Sequence, residues 1–167
     1  MSIHFSKTNM KMTLPFRSLG ITALELIIVL GLLSTMVLVA VEAYDTSRQK
    51  ANVEQAISDI KDIEIAIENY YMENNYTYPS SLADIGMQDR KDPWGNTYNF
   101  LNIAALPDKG NDPKTRKDKN LFPLNSDYDL YSMGEDGKTK ISLTDTESQD
   151  DVIRANNGSF IGIGSDY

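Results

Sequence analysis

An unbroken run of uncharged, mostly apolar residues, Leu26 to Val41, stands near the start of the chain with one acid, Glu25, at its head. From Ile21 to Val41 the segment holds 21 residues. At about 1.5 Å per residue a helix of that length covers roughly 31 Å, close to the ~30 Å hydrocarbon core of a bilayer, and this predicts a transmembrane helix. Past Val41 the pattern changes but does not break. Val53, Ala56, Ile57, Ile60, Ile63, Ile67, Tyr70 and Tyr71 recur at spacings of three and four, with Glu54, Asp59, Asp62, Glu64 and Glu68 on other faces, the signature of an amphipathic helix with one core stripe. Asn74-Asn75 and Pro79 close it. The expectation is a single helix of roughly 50 residues, apolar all round in its first half and amphipathic over 42–75, loosened only at Gly31, Ser34 and Thr35.

Beyond residue 75 the periodicity shortens. Asp92-Pro93-Trp94-Gly95 has turn chemistry, and Thr97 to Ile103, Tyr128 to Met133 and Phe160 to Ile163 read as strands, with a turn at Gly134 to Lys138. Gly110 to Asn120 mixes Lys114, Arg116, Lys117 and Lys119 with Asp112 and Asp118 between Pro107 and Pro123, and reads as a solvated loop insertion. Residues 76–167 therefore form a small α+β head with a short antiparallel sheet.

Charge orients this arrangement. The net charge is -8, yet the first 20 residues carry Lys7, Lys11 and Arg17 and no acid, leaving 13 basic against 24 acidic residues beyond them. Basic residues before the apolar run, and Glu42, Asp45 and Glu54 after it, place the N-terminus in the cytoplasm and the C-terminal domain on the other side. The acidic head argues against a nucleic-acid surface. The chain has no Cys, and its one His, His4, lies before Gly20, so disulfides, thiolate or His zinc sites and His-based triads are excluded beyond Gly20. No Gly-rich phosphate loop follows a strand. Asp127 and Asp129, at period-two spacing, read as solvated residues of an exposed edge rather than an acid–base pair. Nothing in the pattern points to an enzyme.

The segment Gly20-Ile21-Thr22-Ala23-Leu24-Glu25-Leu26 resembles the prepilin signal of type IV pilins and pseudopilins. It keeps Gly20, Thr22, Glu25 and Leu26 of that motif and departs from it at Ile21 and Ala23. Tyr78-Pro79, Asp92-Pro93-Trp94-Gly95-Asn96-Thr97-Tyr98 and Tyr128-Asp129-Leu130-Tyr131-Ser132-Met133-Gly134-Glu135-Asp136-Gly137 narrow the likeness to the major pseudopilins of type II secretion, the general secretion pathway protein G family. The resemblance runs from Gly20 to Asp136. It implies a type IV pilin-like fold with four parts: a prepilin leader peptide over 1–20, the transmembrane helix over 21–41, its amphipathic continuation over 42–75, and a periplasmic head over 76–167. A prepilin peptidase would cut after Gly20 and methylate the amine of Ile21. Glu25 shares a helix face with Ile21 and sits at the positive end of the helix dipole, so an α-amino group, its own or a neighbouring subunit's, lowers the cost of holding it in lipid. The family assigns that pairing to filament register.

Asp136, Asp145, Glu147, Asp150 and Asp151 crowd the C-terminal part of the head. Composition alone fits either a solvated loop or a calcium site of carboxylates and carbonyls, and the spacing is not an EF-hand. The resemblance implies calcium, with the Met133 carbonyl, Asp136, Asp150 or Asp151, and the Val152 carbonyl as ligands. It also implies a single-pass bacterial inner-membrane protein, held in lipid before it polymerises into a periplasmic pseudopilus that drives protein export. Its partners would be further copies of itself, minor pseudopilins, an inner-membrane assembly platform and an outer-membrane secretin. A type IV pilin or minor pilin of a surface filament would share the N-terminal signal, although many carry a C-terminal disulfide loop. A membrane-anchored periplasmic binding module would need neither Gly20 nor Glu25.

Overall fold

The computed structural model describes residues 20–108 and 112–167; the leader, with its basic residues and His4, lies outside them. Helix α1 spans Ala23–Glu73, 51 residues, starting two residues after the expected Ile21 and ending where the Asn pair predicts. The chain divides into two compact units, one ending at Glu42 and the other beginning at Ala43. In the first unit the large apolar side chains, from Ile21 through Leu24 to Val41, are all exposed. This part of α1 is long and apolar enough to cross a membrane.

In the second unit the three-and-four stripe faces inward. Ala56, Ile60, Ile63 and Ile67 are fully buried, each isoleucine contributing about 1.5–3 kcal/mol on the hydrophobic scale. The helix ends at a left-handed turn, Asn75 and Tyr76 at φ 53° and 58°, with the Tyr76 N–H donated to the Tyr71 carbonyl at 2.9 Å. Tyr78 then stacks on Tyr71 with ring centroids 4.3 Å apart, turning the chain back along the helix. A single 3-10 turn, Leu82–Ile85, is capped by Ser81 and Asp84 and buries Leu82 in the helix–sheet core.

Four strands follow: β1 (Asn99–Asn102), β2 (Tyr128–Ser132), β3 (Val152–Ala155) and β4 (Phe160–Ile163). They form one antiparallel sheet in sequence order, with Phe100 opposite Leu130, Tyr131 opposite Ile153 and Arg154 opposite Ile161. The expected α+β, pilin-like class is therefore the observed one. Strand alternation splits the core in two. Tyr128, Leu130 and Val152 pack with the helix stripe, while Ile153 and Ala155 join Leu124 and Leu143, flanked by Tyr131, Phe160 and Tyr167.

That second core corrects two expectations. The charged segment before Pro123 is a loop with Lys114, Lys117 and Lys119 exposed, as expected, but it is not solvated throughout: Thr115 and Arg116 are buried, and the Arg116 carbonyl accepts the Leu124 N–H at 2.8 Å. Nor are Asp127 and Asp129 solvated residues of an exposed edge. Strand β2 is interior, Asp129 is buried, and its carboxylate accepts the Arg116 N–H at 2.9 Å and the Asn125 amide at 2.9 Å. Asp127 accepts the Arg154 guanidinium at 2.7 Å.

Candidate functional site

Two places concentrate the sequence-derived candidates, the head of α1 and the turn system between β2 and β3. At the first, Gly20 and Ile21 are exposed, so among the described residues nothing shields the bond between them. Thr22 and Glu25 complete a reciprocal capping box: the Glu25 N–H is donated to the Thr22 hydroxyl at 3.2 Å, and the Thr22 N–H to the Glu25 carboxylate at 3.4 Å. Glu25 thus satisfies a helix-terminal N–H that lipid could not. The Ser34 and Thr35 hydroxyls bond back to the Leu30 and Leu32 carbonyls at 2.7 and 2.8 Å, which leaves no unpaired polar group at either position.

At the second place, two motifs far apart in sequence are fastened together. Asp92 folds the Pro93-Trp94-Gly95 turn by accepting the Trp94 and Asn96 N–H groups at 3.1 and 2.8 Å. Its other oxygen receives the Ser132 hydroxyl at 2.5 Å, and Asn96 donates to the Gly134 carbonyl at 3.1 Å. The turn beyond β2 is therefore held by the turn before β1. Gly134, at φ +65°, lies against the backbone carbonyl and carboxylate of Asp150, where a Cβ would overlap both. No other residue fits there.

This close approach brings Asp136 to Asp150, whose carboxylate accepts the Asp136 N–H at 3.0 Å. The Asp136 carboxylate in turn accepts the Lys138 N–H at 2.8 Å. Both residues reach solvent. Asp151 does not join them. It is fully buried, and its Oδ2 accepts Arg116 at 2.5 Å and the Thr139 hydroxyl at 2.7 Å. Among the described residues no three acidic side chains converge on one point. Glu147 pairs instead with Lys140 at 3.2 Å. Met133 directly follows β2, and Val152 opens β3 opposite Ser132 and Ile163.

Comparison with known proteins agrees with this architecture. The chain is 30% identical over 143 residues to the type II secretion system core protein G of Aeromonas hydrophila, covering 73% of this chain and 86% of that protein. The chain belongs to the core protein G family. The core protein G of Pectobacterium carotovorum subsp. carotovorum is 28% identical, over 73% of this chain and 79% of that protein. That of Pseudomonas aeruginosa is 27% identical, over 77% and 91%. No protein-family model and no solved structure matches the chain.

For a core protein G the calcium expectation meets a divided set of donors. Asp136 and Asp150 meet through the Asp136 N–H and the Asp150 carboxylate, both reach solvent, and they are the two acids of the expected set whose side chains are not buried. Asp151 is committed elsewhere. Residue-by-residue reading treated Asp150 and Asp151 as alternatives; the fold separates them, since one approaches Asp136 and the other enters the second core. Sequence reasoning missed Arg116 as part of this region, because its partner stands 35 residues away. The signal for Glu25 as a cap was present, as Thr-x-x-Glu before an apolar run.

Proposed function

We propose that this chain is a structural, non-enzymatic subunit of a periplasmic pseudopilus that drives protein export by type II secretion. The observation that carries the reading is the exposed apolar first part of α1 with a lone carboxylate at its head, in a chain of the core protein G family. An apolar helix exposed all round requires lipid or other helices as its surroundings. Lipid serves before assembly and neighbouring copies serve in the filament. Cleavage after Gly20 would free an Ile21 amine one helical turn from Glu25, where the two groups attract across the low-dielectric entry to the membrane. A neighbouring copy's amine fits the same carboxylate, and this makes Glu25 a register residue. The basic leader stays cytoplasmic and the acidic head faces the periplasm. Minor pseudopilins, an assembly platform, a prepilin peptidase and a secretin are the partners such a subunit needs.

Calcium is proposed at Asp136 and Asp150, with the Met133 and Val152 carbonyls as further oxygens. When bound, the ion would neutralise the Asp136 and Asp150 carboxylates, and the loop between β2 and β3 would tighten around it.

The deciding experiment replaces Glu25 by Leu in cells carrying the secretion machinery. The variant should enter the membrane at wild-type level, lose crosslinked multimers and visible fibres, and stop export. A Glu25→Leu chain that still polymerises and exports refutes the assignment, and so does an N-terminus that remains uncut and unmethylated by mass spectrometry.

A further inference from the structure

Burial of Arg116 is the least expected feature of the head, because it belongs to the charged segment that reads as solvent-facing. Its side chain is 3% exposed and that of Asp151 is 0% exposed. Both terminal nitrogens of the guanidinium are used. One amino group meets the Asp151 carboxylate, the other donates to the Thr139 hydroxyl at 2.8 Å, and that hydroxyl itself donates to Asp151. The guanidinium lies 4.1 Å over the Tyr131 ring, a cation–π contact within a desolvated site. Two atoms of the pair lack partners, Arg116 Nε and Asp151 Oδ1. The pair is therefore joined through Asp151 Oδ2 alone, and the guanidinium beside it supplies the positive charge that balances the buried carboxylate.

The backbone around Arg116 is equally fixed. Its N–H is donated to Asp129. Lys117 donates its N–H to the Ile141 carbonyl and accepts the Leu143 N–H, both at 3.0 Å. The segment therefore enters the head as a structural piece, clasping the loop between β2 and β3 at Thr139, Ile141, Leu143 and Asp151.

We infer that Arg116 is a resident cation of the head: its guanidinium, joined to Asp151 and Thr139, holds the β3 end of the acidic loop in place of a metal contact. A guanidinium stays charged at all accessible pH and no chelator removes it. Any ion at Asp136 and Asp150 then fastens only the outer part of the loop. This rests on the proposed calcium reading for its second half alone, since the Arg116–Asp151 clasp stands whether or not an ion binds.

The test uses the full chain in detergent micelles, with unfolding followed by the fluorescence of Trp94, in EGTA or in excess calcium chloride. In EGTA, Arg116→Gln and Asp151→Asn should each melt about 10–20 °C below wild type, as expected for stripping one partner from a buried pair. The double variant should melt no lower than the worse single one. Calcium should raise the melting temperature of Arg116→Gln more than that of wild type, because Asp151 is then a buried carboxylate without its cation, which a metal ion can neutralise in the guanidinium's place, and Asp151→Asn should cancel that gain. Arg116→Lys, which keeps the charge, serves if Arg116→Gln does not fold. It should melt between wild type and Asp151→Asn in EGTA, and calcium should raise it no more than wild type. Single variants within about 3 °C of wild type, or additive losses, overturn the clasp. A calcium gain equal to wild type's in Arg116→Gln, or larger than wild type's in Arg116→Lys, overturns the substitution for metal. A wild type indifferent to calcium beside a responsive Arg116→Gln supports the inference and refutes calcium at Asp136 and Asp150.

Discussion

Replacing Arg154 by Ala tests how the helix is tied to the sheet. Arg154 lies in β3 with its side chain 3% exposed, reaches Glu64 of α1 through Nε at 2.7 Å and Asp127 through the terminal nitrogen at 2.7 Å, and lies 4.0 Å over the Tyr128 ring. Gly158, at φ +86°, makes room for it, since a Cβ there would crowd both Glu64 and Arg154. Removing one member of a buried pair costs about 3–5 kcal/mol. Two carboxylates are stranded here, but Glu64 and Asp127 keep 24% and 15% exposure and recover some water, so the loss stays near one pair's worth rather than doubling. With about 1 kcal/mol for the ring contact, Arg154→Ala should lose about 4–6 kcal/mol, a large share of the ~5–15 kcal/mol that a domain possesses. Arg154→Lys keeps the charge but lacks the planar fork, and should lose about half as much. The decisive comparison is the triple variant Arg154→Met, Glu64→Gln, Asp127→Asn, which leaves no buried charge without a partner and should recover more than half of the loss. Urea unfolding of the full chain in micelles, read by Trp94 fluorescence, measures all four. A loss under about 1 kcal/mol for Arg154→Ala, or a triple variant no more stable than it, would show that the carboxylates were never desolvated and that the helix is held by apolar packing alone.

Two further outcomes follow from the same core. Ile63→Ala removes a fully buried side chain of the helix stripe and should cost about 2–5 kcal/mol in the same assay; a loss under about 0.5 kcal/mol would mean that the stripe is not packed. Asp59 is pushed up by burial, but hydrogen bonds from Arg90, Tyr98 and Gln55 outweigh this and hold its carboxyl below the ordinary 3.8. The stability it contributes is present above pH 3.8 and is lost as pH falls through the lowered folded value. Asp59→Asn should therefore be less stable than wild type at neutral pH, with the gap closing on acidification below that point. A gap that is constant across the titration would contradict the hydrogen-bonded anion.

What the sequence made legible was whatever repeats locally. The stripe Val53 to Tyr71 gave α1, and alternation or turn chemistry gave β1, β2 and β4. Strand β3 escaped because all four of its residues are buried while one of them is Arg154, so neither alternation nor an apolar run is visible there. The segment around Arg116 and the pair Asp127 and Asp129 were misread for a related reason. A charged residue looks solvated unless its partner is known, and those partners lie 13, 27 and 35 residues away. The motifs around Asp92 and Ser132 were recognisable as words, but only the fold shows that they are two halves of one hydrogen-bonded joint.

The Glu64–Arg154 pair also bears on timing. Its two members are 90 residues apart, and at roughly 5–20 residues per second the helix carboxylate waits on the order of 5–20 s of synthesis for its cation. Until β3 emerges, Glu64 and Asp127 lack the cation that joins them, so the helix packs on the first two strands through its apolar stripe with these acids still unpaired. The sheet's sequential order would let it grow strand by strand, yet the tie between helix and sheet is completed only by this late-arriving arginine. A subunit built this way does not present a finished head to its neighbours before its C-terminal strands exist.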